Sequence, residues 1–252
     1  QGYVCIPELC AEIFIGDLMA ARPLFIPAPN GPALVRTEYV GFHWFSGMAA
    51  SQKQKSIDSL HAASQELPGI TNVLEVSSKS RTDLGVALSA FNLTFTTLKQ
   101  GRTFSVECAF QGSKVFEFGG PYVDLFSKTS REAKKDERLQ SSGRLTGFRF
   151  FGTDWELEPQ TAFYDWLYIN ALKKLPDVTE ALLGYSAFTD IEFNPNRSIN
   201  CQAYSVALYV SLTRRGLLHS ATASKEAFLQ VVGDAVVSNA QVDETRQRGF
   251  RM

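Results

Sequence analysis

The chain has 252 residues, 44% of them hydrophobic, and its 25 basic and 26 acidic side chains leave a net charge of −1. A near-neutral chain does not hold long nucleic acid by bulk positive charge, although a local basic patch can still take a nucleotide or a short strand. No apolar run approaches the ~20 residues of a membrane-crossing helix, so no membrane association is expected.

The four cysteines, Cys5, Cys10, Cys108 and Cys201, form no C-x-x-C pair, and the three histidines, His43, His61 and His219, are scattered. Neither a metal site nor another cofactor is expected from such a set. Few cysteines, and no basic segment followed by an apolar one after Gln1, point to a reducing, cytoplasmic setting.

Residues 1–32 read as an irregular lead-in, because the prolines between Pro23 and Pro32 bias their predecessors to extended backbone. Residues 33–252 read as one domain. Within it, Ala33–Trp44 is rich in β-formers and predicts a strand or hairpin. Ala50–Leu67 predicts a helix, with Ile57, Leu60 and Leu67 on one side. Val73–Val76 is a short strand running into Ser77-Ser78-Lys79-Ser80.

From residue 104 the pattern is mostly helical: 104–117, 122–139, 159–173, 178–184, 200–214 and 222–237. One strong strand interrupts it, Thr146–Phe151 with a sequel at Trp155. Pro159 suits the first turn of its helix, Gly216 ends another, and Ser130 is placed to cap the charged run Ser130–Arg138. With no βαβ alternation and no glycine-rich phosphate loop, these elements predict an α+β fold, predominantly helical, with a small N-terminal β-element.

The residues able to carry chemistry concentrate in a few segments. On one helix Glu107, Gln111 and Lys114 (i, i+4, i+7) share a narrow stripe, and the remaining circumference is apolar or small. A buried Glu and Lys must pair with each other or face a wet cavity. A structural ion network and a pocket wall both satisfy that requirement. Asp190 and Glu192, flanking Ile191, face one side if extended; the alternative is turn and cap chemistry before the next helix. Asp165 reads as a hydrogen-bonded structural acid or as a second pocket wall. Lys53, Lys55, Lys79 and Arg81 form the one concentrated basic feature, close in sequence to Phe42, Trp44 and Phe45. Ser77–Ser80 offers hydroxyl and N–H groups for an anion.

These residues also carry a resemblance. Leu88-Ser89-Ala90-Phe91, followed by Ser105-Val106-Glu107-x-x-Phe110-Gln111-x-x-Lys114, resembles the NADAR (YbiA-like) family, where "L-S-N-F" precedes an "S-E-H-x-F-Q-A-x-K" helix. Ala90 stands where the family has Asn, with Asn92 close behind, and Cys108 stands where it has His. Residues 51–61, 77–80, 105–117, 161–172 and 188–205 look closest to the branch encoded beside DarT-type DNA ADP-ribosyltransferase toxins. The likeness spans about residues 35–216.

The resemblance implies a YbiA-like single domain that hydrolyses an N-glycosidic bond to ribose and recognises ADP-ribose. The implied substrate is ADP-ribosylated guanine in DNA, and the implied role is antitoxin to a cognate ADP-ribosyltransferase toxin. Lys114, Glu107, Asp190 and Glu192 are the candidate catalytic groups; Ser78, Lys79, Phe91, Asn92, Gln111 and Trp44 are the candidate substrate contacts. Lys114 could capture the opened ribose as a Schiff base, or a carboxylate could stabilise an oxocarbenium-like transition state and activate water. The alternatives are a non-catalytic ADP-ribose or nucleotide-binding module, and a helical interaction protein whose polar stripe is structural.

Overall fold

The computed structural model describes residues 19–97, 101–195 and 198–233. Strands β1 (Met19–Pro27) and β2 (Val35–His43) form an antiparallel hairpin paired from Met19↔His43 to Pro27↔Val35. Helix α1 (Ala50–Gln65) packs its Ile57 and Leu60 against this sheet, together with Leu24, Val40, Phe42 and Val73. The Ser59 and Ser56 hydroxyls of α1 accept the N–H groups of His43 (3.1 Å) and Phe45 (2.9 Å), which fixes the chain leaving β2.

Strand β3 (Val73–Glu75) and helix α2 (Asp83–Ala87) follow, then the hairpin of β4 (Thr94–Thr96) and β5 (Thr103–Ser105). Helix α3 (Val106–Gly112) is buried along its whole length and is capped by the Ser105 hydroxyl, which accepts the Cys108 N–H at 3.1 Å. Strand β6 (Lys114–Phe116) comes directly after it. A 3₁₀ turn (Val123–Ser127) and the short helices α4 (Ser130–Lys134) and α5 (Arg138–Ser141) lead to β7 (Leu145–Phe150) and β8 (Thr153–Trp155). The last part holds α6 (Ala162–Leu172), α7 (Pro176–Leu183), β9 (Ala187–Thr189), α8 (Gln202–Arg214), α9 (Leu218–Ala221) and α10 (Lys225–Gly233).

The largest sheet has the order β2-β1-β9-β3, in which β9 runs parallel to β3 and antiparallel to β1. Hence the ends of β3, β9 and β2 and the start of β1 all meet on one edge. Helix α8 covers the face opposite α1 and α6 packs on α8, in a core that includes Phe25, Leu74, Tyr168, Phe188, Val206 and Tyr209.

Several expectations need correction. "Predominantly helical" overstates the helix content: nine strands in three sheets are present among the described residues, and the main sheet draws β9 from late in the chain. Part of the expected irregular lead-in is strand β1; residues 1–18 lie outside the described residues. β1 meets β9 at Phe25 alone, so Pro23 and Pro27 are unpaired on that side, where a residue lacking N–H is tolerated.

The expected helix 104–117 is split into β5, α3 and β6. Gly112 lies where a Cβ would come 2.5 Å from the Phe126 ring, and Ser113 caps the helix end. The expected helix 122–139 is three short pieces. Thr129, rather than Ser130, is the cap, in a reciprocal capping box with Glu132. The Ser130 hydroxyl donates instead to the Phe91 carbonyl at 2.8 Å. Pro159 precedes its helix, which begins at Ala162. Of the expected helix 222–237, the described part is α10, which begins at Lys225, and the part after Gly233 lies outside the described residues.

Candidate active site

The sheet edge just described opens into a cavity of about 1280 Å³. Open mixed and parallel sheets characteristically take ligands beyond the carboxyl ends of their strands. Here Ser77 and Ser78 follow β3, Asp190 to Glu192 follow β9, Trp44 follows β2, and Arg22 lies early in β1; all of them line the cavity. The opposite wall comes from Ser89, Ala90 and Phe91, from Glu107, Phe110 and Gln111 of α3, from Lys114 of β6, and from Lys134 of α4. Tyr164 of α6 and Gln202 of α8 also line it, as does the segment 156–163 leading into α6.

Gln202 braces two of these walls. Its Oε1 accepts the Ala90 N–H at 2.7 Å, and its Nε2 donates to the Val76 carbonyl at 2.7 Å. Gly85 of α2 packs where a Cβ would come 2.0 Å from the Glu75 carbonyl oxygen, so α2 can rest on β3 only without a side chain there.

Glu107 is buried and accepts the Gln111 Nε2 at 2.9 Å; its cationic neighbour is Lys134, with Nζ 4.0 Å away. Lys114 stands apart from that pair. Its Nζ lies over the Phe110 ring, 4.8 Å from the centroid. Burial lowers the pKa of this amine; the Glu107 charge opposes the shift and the Lys134 charge adds to it.

Asp190 forms the other charged centre. Its Oδ1 accepts the N–H groups of Glu192 (3.0 Å) and Phe193 (3.2 Å), so it does the turn chemistry anticipated for it while also lining the cavity. Burial pushes its carboxyl well above the usual range, and the neighbouring Glu75 pushes it further. Glu75 is itself fully buried, accepting from Thr189 Oγ1 (2.7 Å) and the Ile191 N–H (2.8 Å). Burial raises its pKa too, against the pull of hydrogen bonds from Ser77, Ile191 and Thr189. Two buried carboxyl groups this closely coupled favour keeping a proton on the pair. The Tyr164 hydroxyl, driven up mainly by burial, feels the charges of both Glu107 and Asp190.

Among the described residues, no group of three or more His, Cys, Asp or Glu is arranged to hold a metal ion. No helix there is long and apolar enough to cross a membrane.

With this geometry in view, the sequence profile of a family described as the DarT1-associated NADAR antitoxin matches residues 20–242. The chain belongs to that family. No curated protein matches it. As a DarT1-associated NADAR antitoxin, it keeps the family's Glu–Phe–Gln–Lys spacing, yet that spacing spans two elements. Glu107, Phe110 and Gln111 are on α3, whereas Lys114 is the first residue of β6, paired with Phe148 of β7.

Of the sequence-derived candidates, Lys114, Glu107, Asp190, Glu192, Ser78, Phe91, Gln111 and Trp44 line the cavity, and Lys79 and Asn92 do not. The Lys79 N–H donates to Ser77 Oγ at 3.2 Å, and Asn92 Nδ2 donates to the Val86 carbonyl at 2.8 Å, so both shape the loops behind the wall. Asp165 is the structural acid of the first reading, held by Ser205 Oγ (2.6 Å) and Thr161 Oγ1 (2.7 Å). Sequence reasoning missed Arg22, Glu75, Lys134, Tyr164 and Gln202. Arg22 was hidden in a proline-rich segment and Lys134 in an ordinary charged run, and only tertiary packing brings either to the site.

Proposed function

We propose that the protein cleaves the N-glycosidic bond between ADP-ribose and a guanine base in DNA, reversing the modification made by its partner toxin. Family membership supports the antitoxin role, and the size of the cavity supports a large substrate. Drug-sized ligands occupy roughly 300–1,000 Å³, and this cavity exceeds that range at about 1280 Å³.

The observation that carries the reading is Lys114. Its amine faces a cavity, rests on an aromatic ring with no ion-pair partner among the described residues, and has its pKa lowered by burial. A lysine made easier to deprotonate is a nucleophile for the ribose anomeric carbon. In the proposed reaction the free amine bonds to that carbon as the bond to the base nitrogen breaks. Asp190, kept protonated by burial and by Glu75, delivers a proton to the departing base. Glu107 takes the proton shed by the lysine. The ribose ring of this adduct then opens: the bond from C1 to the ring oxygen breaks, that oxygen takes a proton from the lysine nitrogen, and a C=N bond forms to the lysine. Water hydrolyses this Schiff base, releasing ADP-ribose and restoring the amine, and solvent returns the proton on Glu107 to Asp190. Phe91, Gln111 and Ser78 contact the nucleotide, with the Ser78 hydroxyl and N–H turned to phosphate oxygens.

The test is to incubate the protein with an oligonucleotide bearing one ADP-ribosylated guanine and to follow free ADP-ribose and intact oligonucleotide by mass spectrometry. Stoichiometric release of both supports the reading. Tight binding without release would instead make the protein a reader of the modification.

A further inference from the structure

The rim of the cavity at β1 and β2 is built differently from its interior. Arg22 and Lys53 both lie against the Trp44 indole, with the guanidinium carbon 5.2 Å and the ammonium 4.5 Å from the ring centroid. Arg22 Nε is buried without a hydrogen-bond partner among the described residues. Lys53 is 3.4 Å from Glu192, so that pair is internally balanced.

One residue and one half-turn further out the motif repeats. Lys55 Nζ lies 5.9 Å from the centroid of the partly exposed Phe45 ring. The pairs are not free to drift, because Ser56 and Ser59 of α1 hold the backbone on either side of Trp44. Arg81 is tied to α1 as well, but Asp58 of that helix neutralises it through contacts of 2.7 and 2.6 Å. An alternating series of cation and aromatic ring thus leads from the cavity mouth across the start of α1.

Such a series matches single-stranded nucleic acid: bases stack on flat rings regardless of sequence, and cations follow the backbone phosphates. A membrane surface or an acidic peptide would use the cations but has no need of rings spaced with them. We propose that the strip Arg22–Trp44–Lys53, continued by Phe45 and Lys55, is the track for the single-stranded DNA flanking the modified base. The proposal rests on the function proposed above for the choice of DNA. Arg22 and Lys53 meet the phosphate next to the modified nucleotide, and Phe45 and Lys55 take the following base and phosphate. With so few cations left unpaired, the track sets orientation and adds modest affinity.

The test uses the whole protein and a fluorescent unmodified single-stranded 12-mer, titrated by anisotropy at 50 and 200 mM salt. Lys55→Glu should raise Kd by roughly tenfold at the lower salt and flatten the salt dependence by at least about 0.7 in log–log slope, the value for one single-strand phosphate contact. Phe45→Ala should weaken binding roughly five- to hundredfold, the range for losing one stacked base. A duplex of the same sequence should bind less well than the single strand. In parallel, hydrolysis of ADP-ribosylated guanosine as a free nucleoside should be unchanged by Lys55→Glu, since Lys55 does not line the cavity. Unchanged 12-mer binding by Lys55→Glu at its native melting temperature overturns the track, as does equal loss on the nucleoside and the 12-mer. Failure of the wild-type protein to cleave either modified substrate would overturn the proposed reaction while the binding measurement still decides the track.

Discussion

Lys114 Nζ lies over the face of the Phe110 ring, 4.8 Å from its centroid, while the ion-pair partner of Glu107 is Lys134 at 4.0 Å. The cavity therefore holds a carboxylate with its own cation and, separately, an amine left to an aromatic face. This division shapes what each substitution should do.

Lys134→Ala should cost little stability, because its ammonium is largely exposed and such pairs contribute about 0–1 kcal/mol. Its effect should be on reactivity. The Lys134 charge is one of the influences holding the Lys114 pKa down, so its removal lets that pKa rise. The acidic limb of the kcat/KM profile should move to higher pH at unchanged melting temperature. A profile that does not move would separate that limb from Lys114.

Glu75→Gln should act on the other limb. Burial and then Glu75 raise the Asp190 pKa, so neutralising Glu75 lets Asp190 ionise at lower pH. Activity that requires protonated Asp190 should then fall away earlier as pH rises. Glutamine can still accept the Ile191 N–H through its oxygen, so folding should survive. A basic limb at its original position would show that Asp190 is not the proton donor.

Asp165 offers a stability test outside the chemistry. Burial pushes its carboxyl up from 3.8 to about 7, against hydrogen bonds from Ser205 and Thr161. Between those values the unfolded chain gives up this proton while the folded protein keeps it. Stability contributed by Asp165 is therefore full below about pH 4, declines as pH rises towards 7, and is level above that. Asp165→Asn mimics the protonated side chain. It should match the wild type near pH 4 and exceed it at pH 8 by a few kcal/mol in denaturant melts. Equal curves at both pH values would contradict the raised pKa.

Gly85→Ala should damage the scaffold. The added methyl would meet the Glu75 carbonyl oxygen at 2.0 Å and Ser80 Oγ at 2.2 Å, so β3 and α2 must separate. A loss of roughly 1–3 kcal/mol is expected, with weaker substrate binding because Ser77 and Ser78 follow β3. A neutral substitution would show that α2 adjusts freely.

These relationships were unevenly legible in the sequence. Local patterns sufficed for α1, β2, β3, β7 and α8, whose apolar spacing and bounding residues agree with their packing. The polar set Glu107–Gln111–Lys114 was legible as residues but not as geometry. Helical spacing explained why Lys114 should join Glu107, whereas in the protein β6 brings it there by pairing with β7 at Phe148. Gly112 and Ser113 could have signalled the break. Strand β9, three buried residues long, has no periodicity to read, and it is what turns an N-terminal hairpin into the sheet carrying Asp190. Arg22, Glu75 and Lys134 owe their places to contacts far apart in sequence, which no local pattern encodes.

The central claim is that Lys114 bonds to the ribose during turnover, and reductive trapping tests it most directly. Wild type, Lys114→Ala and Lys114→Arg are each mixed with an oligonucleotide carrying ADP-ribosylated guanine, treated with borohydride and digested for mass spectrometry. The account predicts one reduced ADP-ribose adduct on the Lys114 peptide of the wild type. It also predicts no adduct and at least ~10²-fold slower release in both variants, with melting temperatures close to wild type because Lys114 has no ion-pair partner among the described residues. Full activity of Lys114→Ala, or wild-type turnover with no adduct at Lys114, would contradict it and leave the carboxylates to carry the reaction.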